Sequence, residues 1–219
     1  KKPKLLYTNK NINCLWLDRI SYDKAWEFQK KIHTLILEDR IKDTVLFLEH
    51  NHVYTLGKNA DSNHLLPSYN KNAEIIQTDR GGDITYHGPG QLVVYPIINL
   101  KKYKMSVSWY IKSIEEIIIK TLKKYHINSN RLNGLTGVWV EDEKIAAIGV
   151  RLSRWITMHG FSINLRPDMT FYNGMIPCGI FEYGVTSIDI LSDKIPTMMN
   201  LVDTIIKNIL FTFEPKNEV

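Results

Sequence analysis

The 219-residue chain is predicted to adopt an α+β fold, with helices segregated from an antiparallel or mixed sheet. Three observations predict it. Apolar residues recur at helical spacing in three stretches, around residues 21–40, 107–125 and 196–213. Apolar or alternating runs of strand length fill the intervals. The last of these runs, 136–140, 144–152 and 157–164, follow one another across very short turns, which is the pattern of an antiparallel meander. Helices and strands therefore do not alternate one for one, as a doubly wound parallel sheet requires.

Taken in order, residues 12–17 alternate and place Cys14 inward in an opening strand. Trp26, Ile32, Leu35 and Ile36 then mark one face of a helix, with Ser21 and Asp23 as caps at its start. Residues 44–49 are apolar and read as a strand, whereas 50–73 are polar, contain Gly57 and Pro67, and read as loop with short structure. A short strand at 73–77 leads into a glycine-rich stretch, and a buried strand at 92–98 leaves it. Ile111, Ile114, Ile118 and Leu122 give the second helix one apolar face, with lysines elsewhere. Glu141-Asp142-Glu143 and Ser153-Arg154 are the turns of the meander. A loop rich in Pro, Gly and Asn spans 166–179, and Pro196 falls in the expected first turn of the closing helix.

Composition narrows the function classes. A hydrophobic fraction of 44% with 23% charged residues is that of a soluble globular protein. No apolar run approaches the roughly 18 residues that cross a bilayer, and no secretory signal is visible. The net charge of +5 favours acidic partners, but the basic residues are scattered, without an Arg-rich arm or zinc-finger spacing. Neither a nucleic acid nor a membrane is the expected partner. The chain opens Lys1-Lys2-Pro3-Lys4 without methionine, from which a removed segment is expected, of organellar targeting type among the alternatives. Two cysteines rule out a disulfide scaffold at this length. Cys14 reads as a buried small hydrophobe and Cys178 as a free thiol in a reducing compartment.

Candidate chemistry concentrates at three places. The stretch Arg80-Gly81-Gly82-Asp83-Ile84-Thr85-Tyr86-His87-Gly88-Pro89-Gly90-Gln91 combines four glycines, a proline, a cation and an imidazole. Such a stiff loop, feeding a buried strand, reads as a cleft wall, with an ordinary tight turn as the alternative. Cys178 stands between Pro177 and Gly179, on a turn, where a thiol can act as a nucleophile and nearby backbone N–H groups can meet an oxyanion; a packed structural thiol is the alternative. Such a nucleophile needs a neighbour that favours thiolate. His87 and His159, each beside a glycine, are the better imidazole candidates; His50, His52 and His64 fall in the polar loop region, and His50-x-His52 lacks a second ligand pair for a metal. Lys144 ends the acidic turn, where a solvated role competes with that of a lysine drawn toward the thiol.

These residues occur in ordered blocks. Glu49-His50-x-x-Val53-Tyr54-Thr55-Leu56-Gly57, the stretch from Arg80 to Leu92, Gly134-x-x-Gly137-Val138-Trp139, Lys144-Ile145-Ala146-Ala147-Ile148-Gly149, His159-Gly160-Phe161 and Pro177-Cys178-Gly179-Ile180 follow one another. Together they closely resemble the octanoyltransferases of lipoate biosynthesis, over about residues 12–212. The resemblance implies the fold of the biotin and lipoate protein ligases, a central mixed, largely antiparallel sheet flanked by helices, and a single catalytic domain over 1–219. It implies transfer of an octanoyl group from octanoyl-acyl carrier protein to a lysine of lipoyl domains of 2-oxoacid dehydrogenase E2 subunits or of the glycine-cleavage H protein. By resemblance Cys178 carries the acyl group as a thioester and Lys144 is its acid/base. The implied substrate wall is Arg80, Gly81, Gly82, Asp83, Ile84, Thr85, Tyr86 and His87, then Ala147, Ile148 and Gly149, then Gly160, Phe161 and Ser162. Gly81, Gly82 and Gly149 are expected to leave room for the chain, and His87 to assist the oxyanion donors near Gly179. No cofactor or metal is expected, since thioester to amide is downhill, and the enzyme is expected to be a monomer in a plastid-type organelle or mitochondrion, or in the cytoplasm. An ATP-dependent lipoate-protein ligase of the same fold, and a non-catalytic module binding carrier protein or lipoyl domains, are the competing readings.

Overall fold

The computed structural model describes residues 2–176 and 183–214. An edge strand β1 (Lys4–Thr8) precedes the expected opening strand β2 (Ile12–Ile20), and α1 (Tyr22–Leu37) follows. Ser21 holds the N-cap position of α1 without a side-chain capping bond. Next come β3 (Asp43–His50), β4 (Val53–Leu56), β5 (Glu74–Gln77), β6 (Ile84–His87) and β7 (Gln91–Ile97). Helix α2 (Val107–Lys124) leads to β8 (Asn130–Leu132), β9 (Leu135–Val140), β10 (Glu143–Ser153) and β11 (Ile156–Asn164). The chain ends through β12 (Gly184–Val185), a single turn α3 (Ile188–Leu191) and α4 (Met198–Thr212). Pro196 lies one residue before the α4 cap, Thr197, whose side chain accepts from the Asn200 N–H.

The expected mixed, largely antiparallel sheet is present. Among the described residues it has nine strands in the order β1-β2-β3-β7-β11-β10-β9-β8, with β12 added alongside β10. The β2–β3 and β10–β12 pairs are parallel and the others antiparallel. Strand alternation distributes the apolar side chains to both faces. Val45, Phe47, Leu92, Val94, Phe161 and Ile163 pack with Ile114, Ile118 and Leu122 of α2 and Leu201, Ile205 and Ile209 of α4. On the opposite face Leu46, Leu48, Val93, Tyr95 and Ile97 pack with Ala25, Ile32 and Ile36 of α1. Burial on both faces explains why β3 and β7 read as continuous apolar runs.

Of the elements that the sequence reading did not give, two matter for the site. Strand β4 lies inside the stretch read as polar loop, and β6 inside the glycine-rich stretch. Both are four residues long, too short for a clear period. They form a second sheet, β5-β4-β6, over a small core of Tyr54, Ala73, Ile84, Tyr86, Phe171 and Met175. This small sheet holds the glycine-rich segment against β10 and β11.

Candidate active site

The site begins with the small residues of β10 and β11. Their register sets Ala147 opposite Ser162 and Gly149 opposite Gly160, on one face of the pair. Phe161 and Ile163 alternate to the other face and pack with α2 and α4. Short side chains leave a cavity of about 270 Å³ between this face and the β6 segment. Ile148 and Phe161 border it, as do Arg80, Gly82, Asp83, Ile84, Thr85 and His87. Of the residues read as the substrate wall, Gly81 and Tyr86 are not among those lining it. Strand alternation turns Tyr86 into the small core, where its hydroxyl bonds His52 Nδ1 at 2.7 Å.

The glycines serve a closer approach than the expected room for a chain. A Cβ on Gly149 would stand 2.9 Å from the Gly81 carbonyl oxygen and 3.0 Å from Arg80 Cδ. The Gly81 N–H in turn donates to Val150 O at 2.9 Å. Absent side chains thus let the loop seat its backbone on β10, and Gly82 turns it with φ +86°. Arg80 clamps the loop from beneath. Its guanidinium donates to Thr55 O at 2.6 Å, to Thr55 Oγ1 at 2.8 Å and to Gly81 O at 3.0 Å. Burial holds its pKa below the ordinary arginine value, and the cation faces the cavity.

Lys144 reaches the wall by a bulge. Lys144 pairs with Trp139 but Ala146 with Val138, so Ile145 is an extra residue in β10. Ile145 and Ala146 both enter the main core, and the interrupted alternation puts Lys144 in the cavity wall with Ala147 and Gly149. Gly137, at φ +133°, makes room: a Cβ there would meet Ala146 O at 2.9 Å and Lys144 Cε at 3.3 Å. Lys144 is only 9% exposed, which removes the solvated-turn reading. Its Nζ lies 4.7 Å from the centre of the Trp139 ring.

Cys178 and Gly179 lie outside the described residues. The chain on either side is anchored at the cavity. Ile176 donates its N–H to His64 O at 2.9 Å, next to the wall residue Met175. Val185, also in the wall, pairs with Lys144, and the Thr186 N–H donates to Lys144 O at 3.0 Å.

A buried polar cluster closes the side of the cavity nearest α1, and much of it escaped the sequence reading. His50 is no loop residue; it ends β3 and is fully buried. It bonds Ile20 O at 2.8 Å through Nδ1–H, so its Nε2 accepts from the Tyr95 hydroxyl at 2.7 Å. Burial lowers its pKa to about 4. Tyr22 is stacked with both His87 and His159 and donates to His159 Nδ1 at 3.2 Å. His159 Nε2–H donates to Asp79 Oδ1 at 2.7 Å. That bond holds the Asp79 carboxyl below its usual range, while burial outweighs it for His159 and lowers the imidazole's pKa. His159 adopts φ +56°, held there by the Gln29 side chain, which accepts from its backbone N–H at 2.7 Å. His64 bonds Asp83 Oδ2 at 2.5 Å, and His52 stacks on Phe171 with ring centres 4.1 Å apart. Buried polar positions within apolar strands, such as Gln91, Tyr95 and Asn164, were the signal available for this cluster.

Three comparisons bear on this site. The model of the lipoyl protein ligase A/B catalytic domain matches residues 21–210. An octanoyltransferase of Cytophaga hutchinsonii is 39% identical over 94% of this chain and 94% of its own. A chloroplastic octanoyltransferase of Arabidopsis thaliana is 45% identical over 77% of this chain and 63% of its own. The bi-partite lipoate protein ligase of Thermoplasma acidophilum superposes with a TM-score of 0.70 at 14% identity, covering 94% of this chain and 84% of that one. At that identity the likeness is one of fold, which biotin protein ligase shares.

Proposed function

Because this chain belongs to the lipoyl protein ligase A/B catalytic family, and within it is an octanoyltransferase of lipoate biosynthesis, we propose that it works through Cys178 and Lys144. The carrying observation is Lys144 itself, a nearly buried lysine delivered to the cavity wall by a bulge. The two wall residues Met175 and Val185 bracket the segment that bears Cys178. In the first half-reaction Lys144 takes the thiol proton, and Cys178 sulfur attacks the thioester of octanoyl-acyl carrier protein. The new C–S bond forms as the carrier's C–S bond breaks, and Lys144 returns the proton to the departing carrier thiolate. In the second, an acceptor lysine amine attacks the acyl-enzyme. Its C–N bond forms, the bond to Cys178 breaks, and the proton lost from nitrogen passes through Lys144 to the cysteine sulfur. A free lysine side chain is less than about 0.1% neutral at pH 7, so this proton transfer is needed. Backbone N–H groups near Gly179 are our choice of oxyanion donors.

The acceptor is a lipoyl domain of a 2-oxoacid dehydrogenase E2 subunit or the glycine-cleavage H protein, and the +5 net charge suits acidic partners. We extend the reading to one catalytic domain, acting as a monomer in a plastid-type organelle, for which the chloroplastic relative speaks, or in a mitochondrion or the cytoplasm. Intact-mass spectrometry after incubation with octanoyl-acyl carrier protein tests the mechanism. An octanoyl adduct is expected on Cys178 and is expected to vanish in Cys178→Ala. Acylation that survives this substitution and requires ATP would instead identify a ligase, and a protein that never acquires an adduct or transfers acyl groups would be a binding module.

A further inference from the structure

His87 was expected to help hold an oxyanion, but its hydrogen bonds give it the opposite polarity. Gln91 Nε2, with two N–H groups to share, lies within hydrogen-bond distance of three acceptors, Tyr86 O at 3.0 Å, Asn164 Oδ1 at 3.0 Å and the Tyr172 hydroxyl at 2.9 Å. The Gln91 amide is therefore fixed with its oxygen toward His87, and it accepts from His87 Nδ1–H at 2.6 Å. Asn164 locks this arrangement in turn, donating through Nδ2 to Thr186 O at 3.0 Å while its oxygen accepts from the Tyr172 hydroxyl at 2.9 Å. The neutral ring with its proton on Nδ1 carries a lone pair on Nε2. That nitrogen has no hydrogen-bond partner among the described residues, and the ring lines the cavity. Burial, with His50 and Arg80 nearby, lowers the imidazole's pKa to about 3. The lowered pKa favours the neutral ring at neutral pH, and in that ring Nε2 has no proton to donate to an oxyanion.

We propose that His87 Nε2 accepts a hydrogen bond from the attacking amine of the acceptor lysine and orients it toward the acyl-enzyme carbonyl. This rests on the Cys178 mechanism above. An acyl chain and a thioester carbonyl offer no donor, whereas the amine offers two N–H groups. One is held by His87 and remains on nitrogen in the amide product. The other is lost to Lys144 as the C–N bond forms and the C–S bond to Cys178 breaks. With so little basicity, His87 aims the nucleophile and leaves proton removal to Lys144.

His87→Asn tests the proposal, because the Asn side-chain N–H can still reach Gln91 while nothing replaces Nε2. Single-turnover assays should find acyl-enzyme formation from octanoyl-acyl carrier protein within about twofold of the parent. Transfer from the isolated acyl-enzyme to a lipoyl domain should slow roughly ten- to hundredfold, the effect of one lost hydrogen bond to a polar nucleophile. His87→Phe, which also releases Gln91, should slow transfer at least as much. Equal slowing of both half-reactions in His87→Asn, selective slowing of acylation, or unchanged transfer would each overturn the proposal. Failure of the parent protein to form any acyl-enzyme would instead refute the underlying mechanism.

Discussion

A lysine at the end of an acidic turn is ordinarily a solvated side chain. Lys144 departs from that because one additional residue in β10 redirects it, and because its Nζ then lies over the Trp139 ring. Its amine and its burial together make it the group on which proton transfer in both half-reactions is proposed to depend. Lys144→Ala is accordingly expected to lower turnover by about 10²–10⁴-fold, the usual worth of a positioned acid/base. Unfolding curves and far-UV circular dichroism should stay close to the parent, which separates lost chemistry from lost folding. Near-parental turnover would return Lys144 to a structural role. Gly149 makes a complementary point at the same scale: its missing Cβ is filled by the Gly81 carbonyl, so the residue serves loop docking and borders the cavity as a result.

Among the elements, the β9–β10 hairpin and helix α2 separate activity from stability. Gly137 sits opposite the bulge with φ +133°, where an L side chain is strained and would press on Ala146 O and the Lys144 stem. Gly137→Ala should cost about 1–2 kcal/mol in urea unfolding and also lower kcat, because the bulge that directs Lys144 must shift. Ser106 caps α2 by accepting from the Trp109 N–H at 3.2 Å, on the side of the sheet away from the cavity. Ser106→Ala should cost about 1 kcal/mol and leave kcat unchanged. A Gly137→Ala protein with parental kcat would detach the bulge from the chemistry. The helices were readable in the sequence because each is long enough to repeat its apolar spacing, whereas β4 and β6 offered four residues apiece and were concealed among polar neighbours and glycines.

For the whole molecule, the polar cluster beside the cavity sets a pH dependence. His50 and His87 are buried and neutral, with folded-state pKa values lowered from 6.5 to about 4 and about 3. A base with a depressed folded pKa leaves the unfolded chain with more bound protons at intermediate pH, so stability falls as pH drops. The contribution is complete above pH 6.5 and is lost progressively down to about 4 for His50 and about 3 for His87. Asp43, whose carboxyl burial raises its pKa, works in the opposite sense near the acidic end. Urea unfolding between pH 7 and pH 4 should therefore show a decline on the order of a few kcal/mol, and His50→Gln should flatten it. A decline of the same slope in that variant would assign it to other groups.

The sequence alone determined the periodic elements, the mixed-sheet class and the ordered motif blocks, because period, turn residues and motif order are local properties of the chain. The direction of side chains and the placement of protons were not determined at that level. The cavity-facing orientation of Lys144 depends on strand register across β9 and β10, since a single extra residue reverses the face. The proton on His87 depends on Gln91, whose own orientation is set by Asn164 and Tyr172, 73 and 81 residues further along. Burial of His50 requires α1 and β7 to close over it. Register, tautomer and desolvation arise from contacts between distant segments, and those contacts exist only once the sheet has assembled.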